Sequence, residues 1–178
     1  MSELFYLRKT EIPKKSTRVD LDFFKRHAET VAKDLLGRVF VREVGRKTLY
    51  LRLEEVAAFE GDIEKMRKRY KGVLEYPGTL AISTQFGQDL IHISTLGLGE
   101  PSCVNLIAGT LFDKQGYEEY VNGPGNLSLA LEIDKDYNGV LLNFNKFWIG
   151  GLAVEKNRIL KRDKSGLPEN CKGYFYFR

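Results

Sequence analysis

The stretch LRLEEVAAFEGD, residues 51–62, carries acidic side chains at Glu54, Glu55, Glu60 and Asp62. A carboxylate at the mouth of a pocket can take a proton from water, which is what general-base hydrolysis needs. The same group on a solvated face does no chemistry. Side chains alternate along a strand, so Leu51, Leu53, Glu55, Ala57 and Phe59 are expected to share one face that begins as core and emerges at a pocket. Glu54 is then expected on the opposite, solvated face, and Glu60 in the following turn. Glu55 is the candidate catalytic carboxylate. The competing reading makes it a structural group paired with Arg52 or a lysine.

Other chemistry is sparse. Cys103 and Cys171 are the only cysteines, too far apart in sequence for a disulfide framework or a zinc site. His27 and His92 are the only histidines, so no metal centre and no cofactor are expected. A formal charge of +4 and a sequence pI near 9.0 favour an anionic partner, nucleic acid first. No apolar run approaches the ~20 residues that span a bilayer. The opening MSELFYLRKTEIPKKSTR has no ordered apolar segment of the secretory kind, and a reducing, cytoplasmic setting is the expectation.

The elements that would position these groups are legible. A chain of 178 residues suits one domain with a sizeable core. Residues 1–18, with Lys9, Lys14, Lys15 and Arg18 around Pro13, read as an irregular basic arm. DLDFFKRHAETVAKDLLG (20–37) reads as an amphipathic helix with Phe24, Ala28, Val31 and Leu35 inward, Asp20 or Asp22 as its cap and Gly37 at its end; His27 lies at the edge of that stripe. A hairpin over 38–44 and 47–59 turns at Gly45-Arg46. Asp62 caps a short helix, DIEKMRKRYKG, with Ile63, Met66 and Tyr70 inward. Strands are expected at 78–84, 89–95 and 102–109, a helical turn at 117–121, and a helix at 123–133 entered through Gly-Pro. Beyond 140 the chain alternates strand-like pieces with turns. The fold class is α+β: one compact domain, 19–178, with a curved antiparallel or mixed sheet, flanking helices and a protruding β-hairpin.

Three stretches together resemble the alkyladenine (methylpurine, or 3-methyladenine) DNA glycosylase family. They are FFKRHAETVAKDLLGRVFVR (23–42), LRLEEVAAFEGD with PGTLAISTQFG (77–87), and GPGNLSLALEIDKDYNG (123–139). The similarity covers most of residues 20–150 and thins toward GYFYFR (173–178). It implies an enzyme of base-excision repair that works on double-stranded DNA as a monomer. Such an enzyme rotates a damaged purine nucleotide out of the stack, fills the gap with an aromatic wedge, and hydrolyses the N-glycosidic bond with a glutamate-activated water and no metal. The compartment implied is nucleoid-associated cytoplasm or a nucleus.

Carried over residue by residue, the resemblance exposes a divergent site. The family's Glu-X-Glu-Ala-Tyr pattern falls on Glu55, Val56, Ala57, Ala58 and Phe59. Its water-activating glutamate is therefore Ala57, and its stacking tyrosine is Phe59. The opposite stacking tyrosine aligns with Ser83, a discriminating asparagine with His92 after one deletion, and an arginine with Ile107. The base-contacting histidine has no counterpart in DIEKMRKRYKG. The wedge tyrosine aligns with Phe86, ahead of Gly87. In the Gly-Pro-Gly-Lys run the lysine is Asn126, which leaves backbone amides near Gly125 for phosphate. Lys65, Arg67, Lys68 and Arg69, followed by Lys71, read either as a solvated helix face or as a phosphate clamp. Two functions follow: a divergent glycosylase acting on alkylated purines, with Glu55 placing water, or a relative that binds damaged DNA without cleaving it.

Overall fold

The computed structural model describes residues 11–177 apart from 62, 71, 98–99, 143–145 and 164; the side chains at 63, 67 and 97 are also outside the description. Nine strands run in chain order: β1 Val39–Val44, β2 Lys47–Glu60, β3 Leu80–Gln85, β4 Gln88–Gly97, β5 Glu100–Phe112, β6 Glu118–Asn122, β7 Phe147–Gly150, β8 Ile159–Lys161 and β9 Cys171–Phe177. Three α-helices accompany them, α1 Ala28–Leu35, α2 Ile63–Tyr70 and α3 Pro124–Ala130. The strands form one antiparallel sheet in the order β3-β4-β5-β2-β1-β7, with β6 added to β5, and β9 to β2 and β8. The α+β expectation holds, as does the hairpin turning at Gly45.

One face of the sheet carries the main core. The stripe Phe24, Ala28, Val31 and Leu35 is fully buried there, with Leu51, Leu53, Val56 and Ala58 from β2 and Leu127 and Leu131 from the α3 region. Burying each large side chain of that set contributes roughly 1.5–3 kcal/mol. The opposite face divides in two. Val39, Val41, Tyr50, Phe112 and Trp148 cluster toward one end, with Ile12 packed against them. Under α2, Met66, Tyr70, Leu74, Ala81 and Cys103 form a second cluster with Phe59.

Three expectations are corrected. The helix over 20–37 is two pieces: a 3-10 turn at Leu21–Phe24, whose cap Asp20 accepts from the Phe23 amide, and then α1. His27 is not at a core edge; it is the N-cap residue of α1, and its side chain is 72% exposed. Residues 118–122 are strand rather than helical turn, because β6 extends the ladder that β4 leaves at Asn105 on the same edge of β5. Of the basic arm, Arg18 lies over the Trp148 ring and Thr17 Oγ1 accepts from the Gly151 amide, so that part is docked. Lys9 and the proposed cap Asp62 fall outside the described residues.

Glu60 is not in a turn. It ends β2, and its Oε1 accepts from the Ala28 amide at 2.9 Å and meets His27 Nδ1 at 3.3 Å. His27 supplies no side-chain cap of its own, so a carboxylate from a distant strand satisfies the first free amide of α1 and complements its dipole. Glu60→Ala is expected to lower folding stability by ~1 kcal/mol. Glu60→Gln, which keeps an acceptor, should lose less. Urea midpoints at unchanged slope would show it; equal midpoints for Glu60→Ala and the parent would remove the cap from the account.

Candidate active site

Strand β2 does not alternate as its sequence suggests. Its register against β5 shifts between Leu53 and Glu55 and again between Glu55 and Val56. Leu51 and Leu53 face the main core before the irregularity, and Val56 and Ala58 face it after. The shared face expected for Leu51, Leu53, Glu55, Ala57 and Phe59 therefore does not exist. Leu51 and Leu53 point one way and the other three point to the opposite side. The same shift brings Glu54 onto the side of Glu55, so its expected solvation is also corrected. Glu54 accepts from the Thr110 hydroxyl and pairs with Arg52 at 3.4 Å, and its side chain is only 17% exposed.

Ala57 sits in a lateral row built by strand pairing: Ala81 beside His92, His92 beside Asn105, Asn105 beside Ala57, and Ala57 beside Tyr174. Ala57, His92 and Asn105 are buried, as is Ser83. The cover is Tyr70 of α2. Its ring lies 5.1 Å from that of His92, and the Ser83 and Arg69 side chains act on its hydroxyl. Phe59 closes the other side, 6.5 Å from the His92 ring. The sequence-derived pocket residues Ala57, Phe59, Ser83 and His92 do converge, but around a tyrosine that fills the space between them.

Burial dominates the electrostatics of this slot. The His92 imidazole is pushed down to about 4, first by desolvation, with Arg69 reinforcing and the nearby backbone of Leu90 and Ala81 opposing. The Cys103 thiol is pushed up to about 12 by burial, and the Tyr70 phenol is raised for the same reason. All three are neutral near pH 7. His92 Nδ1 and Asn105 Oδ1 have no hydrogen-bond partner among the described residues.

Toward the β3–β4 turn from Ala57, on the same side of the sheet, lies an open cavity of about 430 Å³ lined by Glu54, Glu55, Tyr120, Arg162, Tyr176 and Phe177. Tyr174 donates its hydroxyl to Glu55 Oε2 at 2.7 Å, and Arg162 stands 3.6 Å from Oε1. Glu55 thus does have structural partners, though Tyr174 and Arg162 rather than Arg52. Ile107 is half-buried where the register slips.

The hairpin tip is different in kind. Phe86 is fully exposed, at 104% relative accessibility, and sits at φ +50°, followed by Gly87 at φ +75°. Lys65, Lys68 and Arg69 are exposed on α2, while the Arg67 side chain lies outside the described residues. Asn126 donates to the Asn122 carbonyl, and Gly125 is packed on Gln88, which places α3 against the turn end of the hairpin.

A family model described as methylpurine-DNA glycosylase matches residues 22–178. The chain belongs to that family. Among its relatives, a Clostridium perfringens (strain 13 / Type A) protein is 31% identical over 177 residues, covering 83% of each chain. A Desulfitobacterium hafniense protein is 26% identical over 186 residues, spanning 88% of this chain and 92% of its own. One from Gloeobacter violaceus is 29% identical over 173 residues, spanning 88% and 80%. All three carry "3-methyladenine DNA glycosylase" in their names. Membership in this glycosylase family makes DNA the partner. Among the described residues, no helix is long and apolar enough to cross a membrane, and no cluster of His, Cys, Asp and Glu could hold a metal ion.

Sequence reasoning did not single out Asn105, Tyr120, Arg162, Tyr174 or Tyr176. Tyr70 was legible as an inward helical residue but not as the occupant of a slot.

Proposed function

We propose that this protein recognises damaged purine nucleotides in double-stranded DNA by extruding them, and removes alkylated purines such as 3-methyladenine by hydrolysing the N-glycosidic bond. One observation carries the reading: Phe86. A left-handed backbone strongly disfavours a bulky side chain, and full exposure of a phenyl ring forfeits its burial energy. The fold gains nothing from this residue, whereas a duplex does. An apolar wedge on a protruding turn can enter a base step and hold open the gap left by a flipped nucleotide. The exposed Lys65, Lys68 and Arg69 supply positive charge for the flanking phosphates. The alternative of a non-cleaving binder finds no support in the family match or in the relatives' names.

Phe86→Asn tests this with two opposed readouts. Asparagine tolerates the left-handed region, so folding stability should rise by roughly 0.5–1 kcal/mol. Affinity for a duplex containing an alkylated purine should fall ~10-fold, as should base release. Parental affinity in the variant would remove the wedge. Affinity for intact duplex should also drop steeply as salt rises.

A further inference from the structure

Resting on that glycosylase reading, we infer that the extruded nucleotide is received at the cavity beside the β2 irregularity rather than in the slot under α2, and that Glu55 is its water-activating base. The slot is full. Tyr70 occupies it, 3% exposed and packed against the His92 ring, and Ala57, Ser83, His92 and Asn105 around it are buried. The adjoining cavity is open, and at about 430 Å³ it falls within the usual ligand range of ~300–1,000 Å³.

Its walls match the ligand. Tyr120, Tyr176 and Phe177 offer aromatic surface to a purine, and Arg162, half exposed, offers a cation to the phosphate. The register shift puts Glu54 and Glu55 side by side on this wall, and Glu55 lies on the wedge side of Ala57. Glu55 is held by Tyr174 through Oε2. Burial and Glu55 both raise the Tyr174 phenol, so the tyrosine stays a donor. Arg162 rests on the Tyr174 and Tyr176 rings, at 4.7 and 5.8 Å, with a long 3.6 Å reach to Oε1. Transfer of that guanidinium to a phosphate of the bound strand would leave Oε1 as the free acceptor.

The step balances. Water gives a proton to Glu55 Oε1 as its oxygen bonds to C1′. The C1′–N bond breaks, and its electron pair goes to the purine ring. A purine alkylated at N3 or N7 is cationic and leaves as the neutral base, so no separate acid is required. Glu54, fixed by Thr110 and Arg52, adds negative charge near the developing sugar cation.

The test compares the parent with Glu55→Gln, using Glu132→Gln, a carboxylate outside the cavity, as control. Base release is measured from methylated duplex. Affinity is measured for duplexes carrying a cationic pyrrolidine or a neutral tetrahydrofuran in place of the nucleotide. Glu55→Gln should slow release ~100-fold or more and cut the pyrrolidine preference ~10-fold, while Glu132→Gln changes neither. If Glu55→Gln does not fold, Arg162→Ala and Tyr120→Ala, both at the exposed rim, should each weaken pyrrolidine-duplex binding ~5-fold. Parental affinity in both would overturn the assignment. A parent that releases base or prefers lesion duplex, with that behaviour untouched by Glu55→Gln, also overturns it and leaves the glycosylase reading standing. A parent that does neither overturns the reading itself.

Discussion

Ala57→Glu is expected to destabilise the protein by ~3–5 kcal/mol and to give no gain in base release. The family resemblance alone would lead to the opposite expectation, since it puts the water-activating glutamate at this position and suggests that restoring a carboxylate restores a rate. The packing argues against that. Ala57 is 2% exposed, and its row neighbours are Asn105 and Tyr174. Asn105 can offer at most its amide N–H to an introduced carboxylate, too little to replace the water that an ionised group would lose there. Glu55 follows on the same side about 6–7 Å away along the strand, a like charge in a poorly hydrated place. The introduced group would therefore either stay protonated or force the strands apart. Urea unfolding gives the stability, and release from methylated duplex gives the activity. A variant as stable as the parent and markedly faster would mean that Tyr70 leaves the slot readily in solution, and the site would then belong under α2.

Much of the fold could be read from residue patterns. Burial of the Phe24, Ala28, Val31 and Leu35 stripe, the Gly45 turn and the Gly-Pro entry to α3 all follow from local chemistry. Helix length did not, because Lys25–His27 breaks the pattern where a distant residue, Glu60, supplies the cap. The site was half legible. The family resemblance alone pointed to Phe86 as a wedge; the structure shows that residue exposed at a left-handed turn position, which no local pattern announced. The β2 irregularity was missed although the sequence carries a trace of it. Leu49, Leu51 and Leu53 alternate on odd positions, whereas Val56 to Phe59 is an unbroken apolar run, with the Glu54-Glu55 doublet between them. Strict alternation cannot accommodate both runs, and a bulge absorbs the extra residue at that doublet. The cavity wall from β9 and Arg162 lies more than a hundred residues further along the chain. No local pattern could bring Tyr174 to Glu55; the β2–β9 pairing does.

Acid should destabilise the fold through His92. The imidazole is at about 4 in the folded protein and about 6.5 in an unfolded chain, a depressed value caused first by burial. Above pH 6.5 the ring is neutral in both states and contributes no pH dependence. As pH falls from 6.5 toward 4, the unfolded chain takes up a proton that the fold refuses. Stability is lost at up to ~1.4 kcal/mol per pH unit, about 3 kcal/mol in all, and the loss levels off below 4. His92→Gln removes this dependence, since glutamine is neutral in both states and every other group is common to the two proteins. The difference between the parent and variant stability curves should be flat above pH 6.5 and swing by about 3 kcal/mol between 6.5 and 4. Parallel curves would mean that the ring is hydrated and that the slot is not closed. The same depression bears on mechanism. A histidine that stays neutral down to about pH 4 cannot protonate a departing base at pH 7. The slot therefore offers no such acid. The hydrolysis proposed at Glu55 does not need one, because a purine alkylated at N3 or N7 is already cationic and leaves as the neutral base.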